Sequence, residues 1–465
     1  MNAFKISALA AAVVAASSVS TVAQADAAQA WSQFANDSSL SLHLRNFFHD
    51  RDRDNNGFNK GQDSEQQSWA QAFRFDFASG MAGNDVVKVG VDAYAYYNQK
   101  LAGDSGEGGL GTLKGDCPSD IDVHKGADAK CSGGKQESHG KAGAALKLSI
   151  ADMAMIKAGQ FRMSGPMVND SDSRNLPSVR EGGQIRSTAW ENLNLYGQVV
   201  TGGSAKTNSG TSEYEVNGDK ENVYVVGGDY NFAGLGNGLL ISAAYGKQTN
   251  NLQGYYLAAD IDFDLTDNVN LALGSQYGSA SLIGDFEDEN KADGNKEDDI
   301  YWYDLGASLS FGPAKVSVSY QAVEQQDADD GFGFDTAAYS WEGGDDDTGF
   351  YGRNSVQIGD FHENGETSYQ VRGDLDFADL GVPGLTLMAR YIDGEVDKDS
   401  LGSTKDADET ELDLEAAYTI QSGAAKGLKF HLRYAQYEYD TNETGDKELE
   451  LDDFRFITSY TLSVF

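Results

Sequence analysis

Basic residues recur on the polar face of an alternating apolar and polar pattern: Arg45, Arg74, Lys88, Lys147 and Lys157 early in the chain, then Arg372, Arg390, Arg433 and Arg455 near its end. Guanidinium and ammonium groups replace the water around a carboxylate with charge-assisted hydrogen bonds, and arginine can do so bidentately. Between the two sets, Asp229, Asp260, Asp262, Asp264 and Asp304 fall on the same polar face. Cations facing acids across a narrow aqueous space impose a transverse field that orients a zwitterion. The chemistry expected is recognition and passage of small solutes. The histidines at 43, 49, 124, 139, 362 and 431 lack zinc spacing, and no serine sits in a nucleophile elbow. No catalytic centre, cofactor or metal is expected, and an enzyme carried on the same scaffold is the remote alternative.

The alternation has a period of two, which is that of a β-strand. Leu40, Leu42 and Leu44 share one face and Ser41, His43 and Arg45 the other; Trp69, Phe73, Phe75 and Phe77 oppose Arg74 and Asp76. Segments of this kind, roughly ten residues each, recur about eighteen times, which is the signature of an all-β chain folded as a transmembrane antiparallel β-barrel. Lipid takes the apolar face, and the sheet must close because hydrocarbon cannot satisfy an open edge. The opening residues agree: Lys5, an apolar run from Ile6 to Val22 and Ala23-Gln24-Ala25 read as an export signal, removed after residue 25. Residues 26–465 are then one barrel domain, ending in an alternating strand and Phe465.

Short links at 80–84, 265–268, 312–313 and 423–426 alternate with long ones at 49–67, 99–138, 162–183, 203–221, 281–298 and 326–366. Short turns belong to the periplasm and long loops to the outside. The third long loop is expected to carry Arg162, Arg174, Arg180 and Arg186, which either line a constriction or tie the loop to wall carboxylates. The seventh, 326–366, holds eleven acids, among them Asp345, Asp346 and Asp347, against one basic residue, Arg353. It either presents an acidic pocket or faces salty water.

Composition fits many strands joined by tight turns: 54 glycines, 23 tyrosines, 22 phenylalanines and 5 prolines. The net charge of −38 excludes nucleic acid as a partner and suits either a halophilic habitat or divalent-cation bridging to lipopolysaccharide phosphates. Cys117 and Cys131 share one outside loop of an exported chain, so a disulfide is expected over metal binding or free thiols. Asp52-Arg53-Asp54-Asn55-Asn56-Gly57 with Asp63 mimics a calcium loop but has Lys60 at the ninth position and strands as flanks. No metal is assigned there.

Several blocks together are similar to the OprD-type substrate-specific porins. They are residues 44–48 (LRNFF), 173–177 (SRNLP), 354–361 (NSVQIGDF), 369–372 (YQVR), 381–394 (GVPGLTLMARYIDG) and 421–428 (QSGAAKGL). The resemblance implies eighteen strands, a narrow lumen constricted by loops three and seven, an arginine ladder on the wall and independent barrels or weak trimers. It implies passive uptake of small carboxylate-bearing or zwitterionic nutrients. Chito-oligosaccharide uptake is the alternative, because relatives include chitoporins; inward aromatics such as Tyr94, Tyr96, Tyr196 and Trp302 would then carry the sugar.

Overall fold

The computed structural model of the chain describes residues 32, 34–56, 65–103, 110–114, 136–294, 298–324, 339–343, 351–397, 406–440 and 448–465. The expected export signal, both cysteines, and Asp345, Asp346 and Asp347 lie outside these residues.

Eighteen strands follow in chain order: β1 (Ser39–Asn56), β2 (Glu65–Ala78), β3 (Val87–Ala102), β4 (Ser138–Ile150), β5 (Ala154–Phe161), β6 (Val179–Trp190), β7 (Leu193–Ser204), β8 (Val223–Phe232) and β9 (Leu239–Gln248), then β10 (Leu252–Thr266), β11 (Val269–Leu282), β12 (Asp299–Phe311), β13 (Ala314–Val323), β14 (Glu366–Asp376), β15 (Leu385–Val396), β16 (Ala407–Thr419), β17 (Lys429–Asp440) and β18 (Glu448–Ser463). Each pairs antiparallel with the next. β18 returns to β1, from Ser41 opposite Ser463 to Asn56 opposite Glu448, so the barrel closes with an even strand number and no free edge. The described helix α1 (Asp285–Ala292) sits in the loop after β11, with acids in its first turn and Lys291 in its last, as the helix dipole favours.

Parity is as the alternation requires. Leu42 opposes Phe75 and Leu44 opposes Phe73, while His43 opposes Arg74. Trp69, Phe73 and Phe75, and on the far side Val316, Val318 and Val371, are exposed on the outer face, where lipid covers them. Several strands run longer than the alternation predicts. β1 continues through Asp50, Arg51, Asp52, Arg53 and Asp54 to Asn56, paired with β18 throughout. Above the bilayer both faces are wet, so a strand there loses its apolar parity and reads as a loop. For the same reason Arg180 and Arg186 stand on β6 and not in loop three, which is confined to residues 162–178.

Loop three and the described parts of loop seven (324, 339–343 and 351–365) turn inward. Met163, Met167 and Val168 of loop three, Tyr214 and Val216 from the loop after β7, and Tyr339 and Trp341 of loop seven pack on Val223, Val225 and Trp302 of the wall. Trp341 Nε1 donates to the Met167 carbonyl at 2.8 Å, joining the two loops. One side of the bore is thus filled by an apolar plug. Gly278 on β11 faces Trp302 on β12 and lies beneath its indole; a Cβ there would stand 2.3 Å from Trp302 Cε2. Gly278→Ala is expected to displace the indole at a cost of about 1–3 kcal/mol. Thermal unfolding of refolded protein checks this, and an unaltered midpoint would show the indole to be free to move.

Candidate functional site

The remaining passage is shaped by how each loop is tied to the wall. Loop three reaches across to β1 and β2, where Asp172 gathers three guanidiniums: Arg74 at 2.8 Å, Arg45 at 3.1 Å and Arg162 at 3.5 Å. Arg45 also donates to the carbonyls of Asp172 and Arg174, and Arg74 to those of Arg174 and Asn175. Asn175 in turn donates to Asn98 on β3. One carboxylate against three cations leaves this knot positive, and Arg162, 46% exposed, presents that charge to solvent. Arg174 reaches the Leu110 carbonyl, Arg180 is buried on Asp170, and Arg186 holds the Ser164 carbonyl while lying over the Tyr196 ring. Three of the four arginines expected in this region therefore tie the loop in place.

Loop seven is fastened from the other side. Arg353, its one basic residue, spans Asp304 on β12 at 2.8 Å and Asp260 on β10 at 3.0 Å, so part of the middle set of acids serves as its anchor. Asn354 donates to Ser368 on β14, and Gln321 on β13 holds the Asp360 and Phe361 carbonyls. The backbone N–H groups of Ile358 and Gly359 both donate to Glu411 on β16, at 3.0 and 2.7 Å. At the farthest point, Gln357 donates to Asp453 on β18 and accepts from Arg455. Asp453 is fully buried and is also bound by His49 and Arg51 of β1 and by Arg455, each at 2.7 Å.

The wall from β13 to β18 carries the second basic set. Arg390 bonds Asp413 at 2.5 Å, Arg372 bonds Asp374 at 2.6 Å, and Arg433 shares Glu415 with His431 at 2.7 and 2.9 Å. Arg372 and Arg390 oppose each other across β14 and β15, and Arg433 and Arg455 across β17 and β18. The result is a row of cations at mid-barrel, each flanked by an acid from its own or the adjacent strand. At the periplasmic end a cavity of about 400 Å³ is lined by Lys315, Arg372, Asp374, Glu415, Lys429 and His431. Neither Lys315 nor Lys429 has an ion-pair partner among the described residues.

The other cations of the first set lie apart from this row. Lys147 and Lys157 both bind Asp92, at 2.7 and 2.6 Å. Lys88 pairs with Asp152 in the periplasmic turn after β4, and its ammonium holds that carboxyl below its ordinary range. Of the middle acids, Asp262 and Asp264 accept from Asn270, and Asp229 stands opposite Asn194. The inward aromatics do not form a track. Tyr94 and Tyr96 stack at 4.7 Å, but Trp302 is buried edge-on to Tyr339 and Tyr196 lies under Arg186.

Sequence reasoning missed Lys315, Asp172, Asp453 and Gln357. Lys315 and Asp453 have inward parity that would have found them; a lone Asp or Gln in a loop carries no such mark.

These features meet known proteins at every level. The family model for outer membrane porins of the OprD family matches residues 32–464. The chain is 31% identical to Porin D of Pseudomonas aeruginosa over 484 residues, covering all of both chains. It is 26% identical to the porin-like protein GalP of Pseudomonas putida, over 93% of each. Among solved structures, a BenF-like porin from Pseudomonas fluorescens superposes with a TM-score of 0.75 at 26% identity, covering 93% of this chain and 100% of that one. A closed eighteen-stranded barrel, two inward loops and this full-length likeness have one explanation: the chain belongs to the OprD family of porins in the outer membrane of Gram-negative bacteria.

Proposed function

We propose that the pore admits small carboxylate-bearing nutrients and favours those that also carry a positive charge, such as amino acids and short peptides. The observation that carries this reading is the pairing on the wall: Arg372 with Asp374, Arg390 with Asp413, Arg433 with Glu415. A bare anion must draw each guanidinium away from its acid. A zwitterion exchanges partner for partner, with its carboxylate on the arginine and its ammonium on the acid, so neither wall group is left desolvated and alone. The positive knot around Asp172 draws the carboxylate inward, and the two unpaired ammoniums, Lys315 and Lys429, receive it at the exit. Loops rich in acid meet lipopolysaccharide through bridging cations in this reading, and the mature barrel starts after residue 25.

Single-channel blockade titrated with arginine, benzoate, glucuronate and chitohexaose separates the solute classes. Arginine is expected to block most strongly, and strong blockade by the neutral sugar alone would defeat the proposal. Arg372→Gln combined with Arg433→Gln is expected to lower zwitterion flux several-fold. Both side chains are partly exposed, and the barrel itself is expected to remain folded; Arg390 is left in place because its loss would strand the buried Asp413. Unchanged flux in liposomes carrying the double variant would count against the row of arginines as the path.

A further inference from the structure

Beneath the returning limb of loop seven, the extracellular ends of β14 and β16 bury three glutamates: Glu366 and Glu411 are 0% exposed and Glu409 3%. The carboxyls of Glu366 and Glu409 hydrogen-bond to each other. Two carboxyl groups can do this only while one of them carries a proton. No Lys or Arg forms an ion pair with Glu366, Glu409 or Glu411 among the described residues.

The loop rests directly on this pair. The Glu363 N–H donates to Glu366 at 2.9 Å, and a Cβ at Gly359 would stand 2.7 Å from Glu409 Oε1. Next to it, Glu411 holds the N–H groups of Ile358 and Gly359. Phe361 is buried between them, within contact of the Gly359 and Gly394 positions. The titratable groups facing the pair are Asp360 and Glu363 of loop seven, Glu411 of β16, and Tyr437 and Tyr439 of β17. β15 contributes Gly394, whose Cβ would meet Glu366 Oε1 at 2.6 Å. Among the described residues each of these groups is acidic or phenolic, so none of them compensates the charge that ionisation of the pair creates; His362 lies on the same limb.

We infer that Glu366 and Glu409 form a proton-held latch that keeps the 351–365 limb of loop seven against the wall, so that the pore opens as pH rises. When the shared proton leaves, two anions in contact must separate and take up water, and the limb resting on them lifts. The sign is fixed by the chemistry: closed in acid, wider in alkali. The inference concerns regulation and holds whichever solute passes.

Ion conductance in planar bilayers containing only potassium chloride, measured from about pH 5 to about pH 9, tests it without any nutrient present. Wild type is expected to show a several-fold rise in conductance across the range. In Glu366→Gln the amide supplies the shared hydrogen permanently, and the conductance is expected to stay at the acid level throughout; Glu409→Gln, a second route to the same state, should match it. A wild-type profile that is flat with pH overturns the latch, as does a glutamine variant whose rise follows wild type. Opening by a chelator at constant pH would place a bound cation between the carboxylates and overturn it equally.

Discussion

Asp172→Ala is expected to raise the preference of the pore for anions over cations several-fold and to increase its unitary conductance. Among the described residues, Asp172 is the only acid that forms ion pairs with Arg45, Arg74 and Arg162. Removing it leaves three guanidiniums that repel one another in a narrow and weakly screened space. Two of them remain hooked to the carbonyls of Arg174 and Asn175, so the tip of loop three keeps part of its attachment while the charge it presents becomes more positive. The reversal potential in a salt gradient reads the effect. If ion preference is the same as in wild type, the knot does not border the conducting path.

The second large effect is expected from Asp453→Ala. Asp453 satisfies His49, Arg51, Arg455 and Gln357 at once, all inside a region closed to solvent or nearly so. Taking one partner out of a buried ion pair costs about 3–5 kcal/mol, because the cation left behind is uncompensated. The barrel ladder between β1 and β18 is unaffected, so the variant is expected to insert but to unfold at a lower temperature. Loss of the Gln357 anchor is expected to convert steady conductance into frequent open and partly closed steps. A variant with wild-type melting and quiet traces would mean that Gln321 and Glu411 hold loop seven unaided.

Much of this architecture is legible in the sequence because lipid enforces it. Residues such as Phe73, Phe75 and Leu44 have to alternate with Arg74 and Arg45 wherever a strand crosses hydrocarbon, so strand number and facing can be read directly. What cannot be read is partnership. Arg390 finds Asp413 through the register of β15 and β16, and single residues do not declare register. Parity alone gives a wall of cations, whereas register and same-strand neighbours together turn it into a wall of pairs. The pairing of His431 and Arg433 with Glu415 is legible, since Lys429, His431 and Arg433 stand beside Glu411, Asp413 and Glu415 on the neighbouring strand across a short turn. The apolar plug left a fainter trace: Met163, Met167, Tyr339 and Trp341 are greasy residues in loops with no lipid to meet, which only makes sense if they turn inward.

The tip of loop seven docks where the first strand meets the last, Gln357 on Asp453 and Arg455 of β18 beside His49 and Arg51 of β1, while Asp172 of loop three docks next to it on Arg45 of β1 and Arg74 of β2. The loop-seven berth is not complete until the ring has zipped shut. A half-built cylinder would therefore hold its filter loosely, and size exclusion would begin only at the moment of sealing, making selectivity itself a report that assembly has finished.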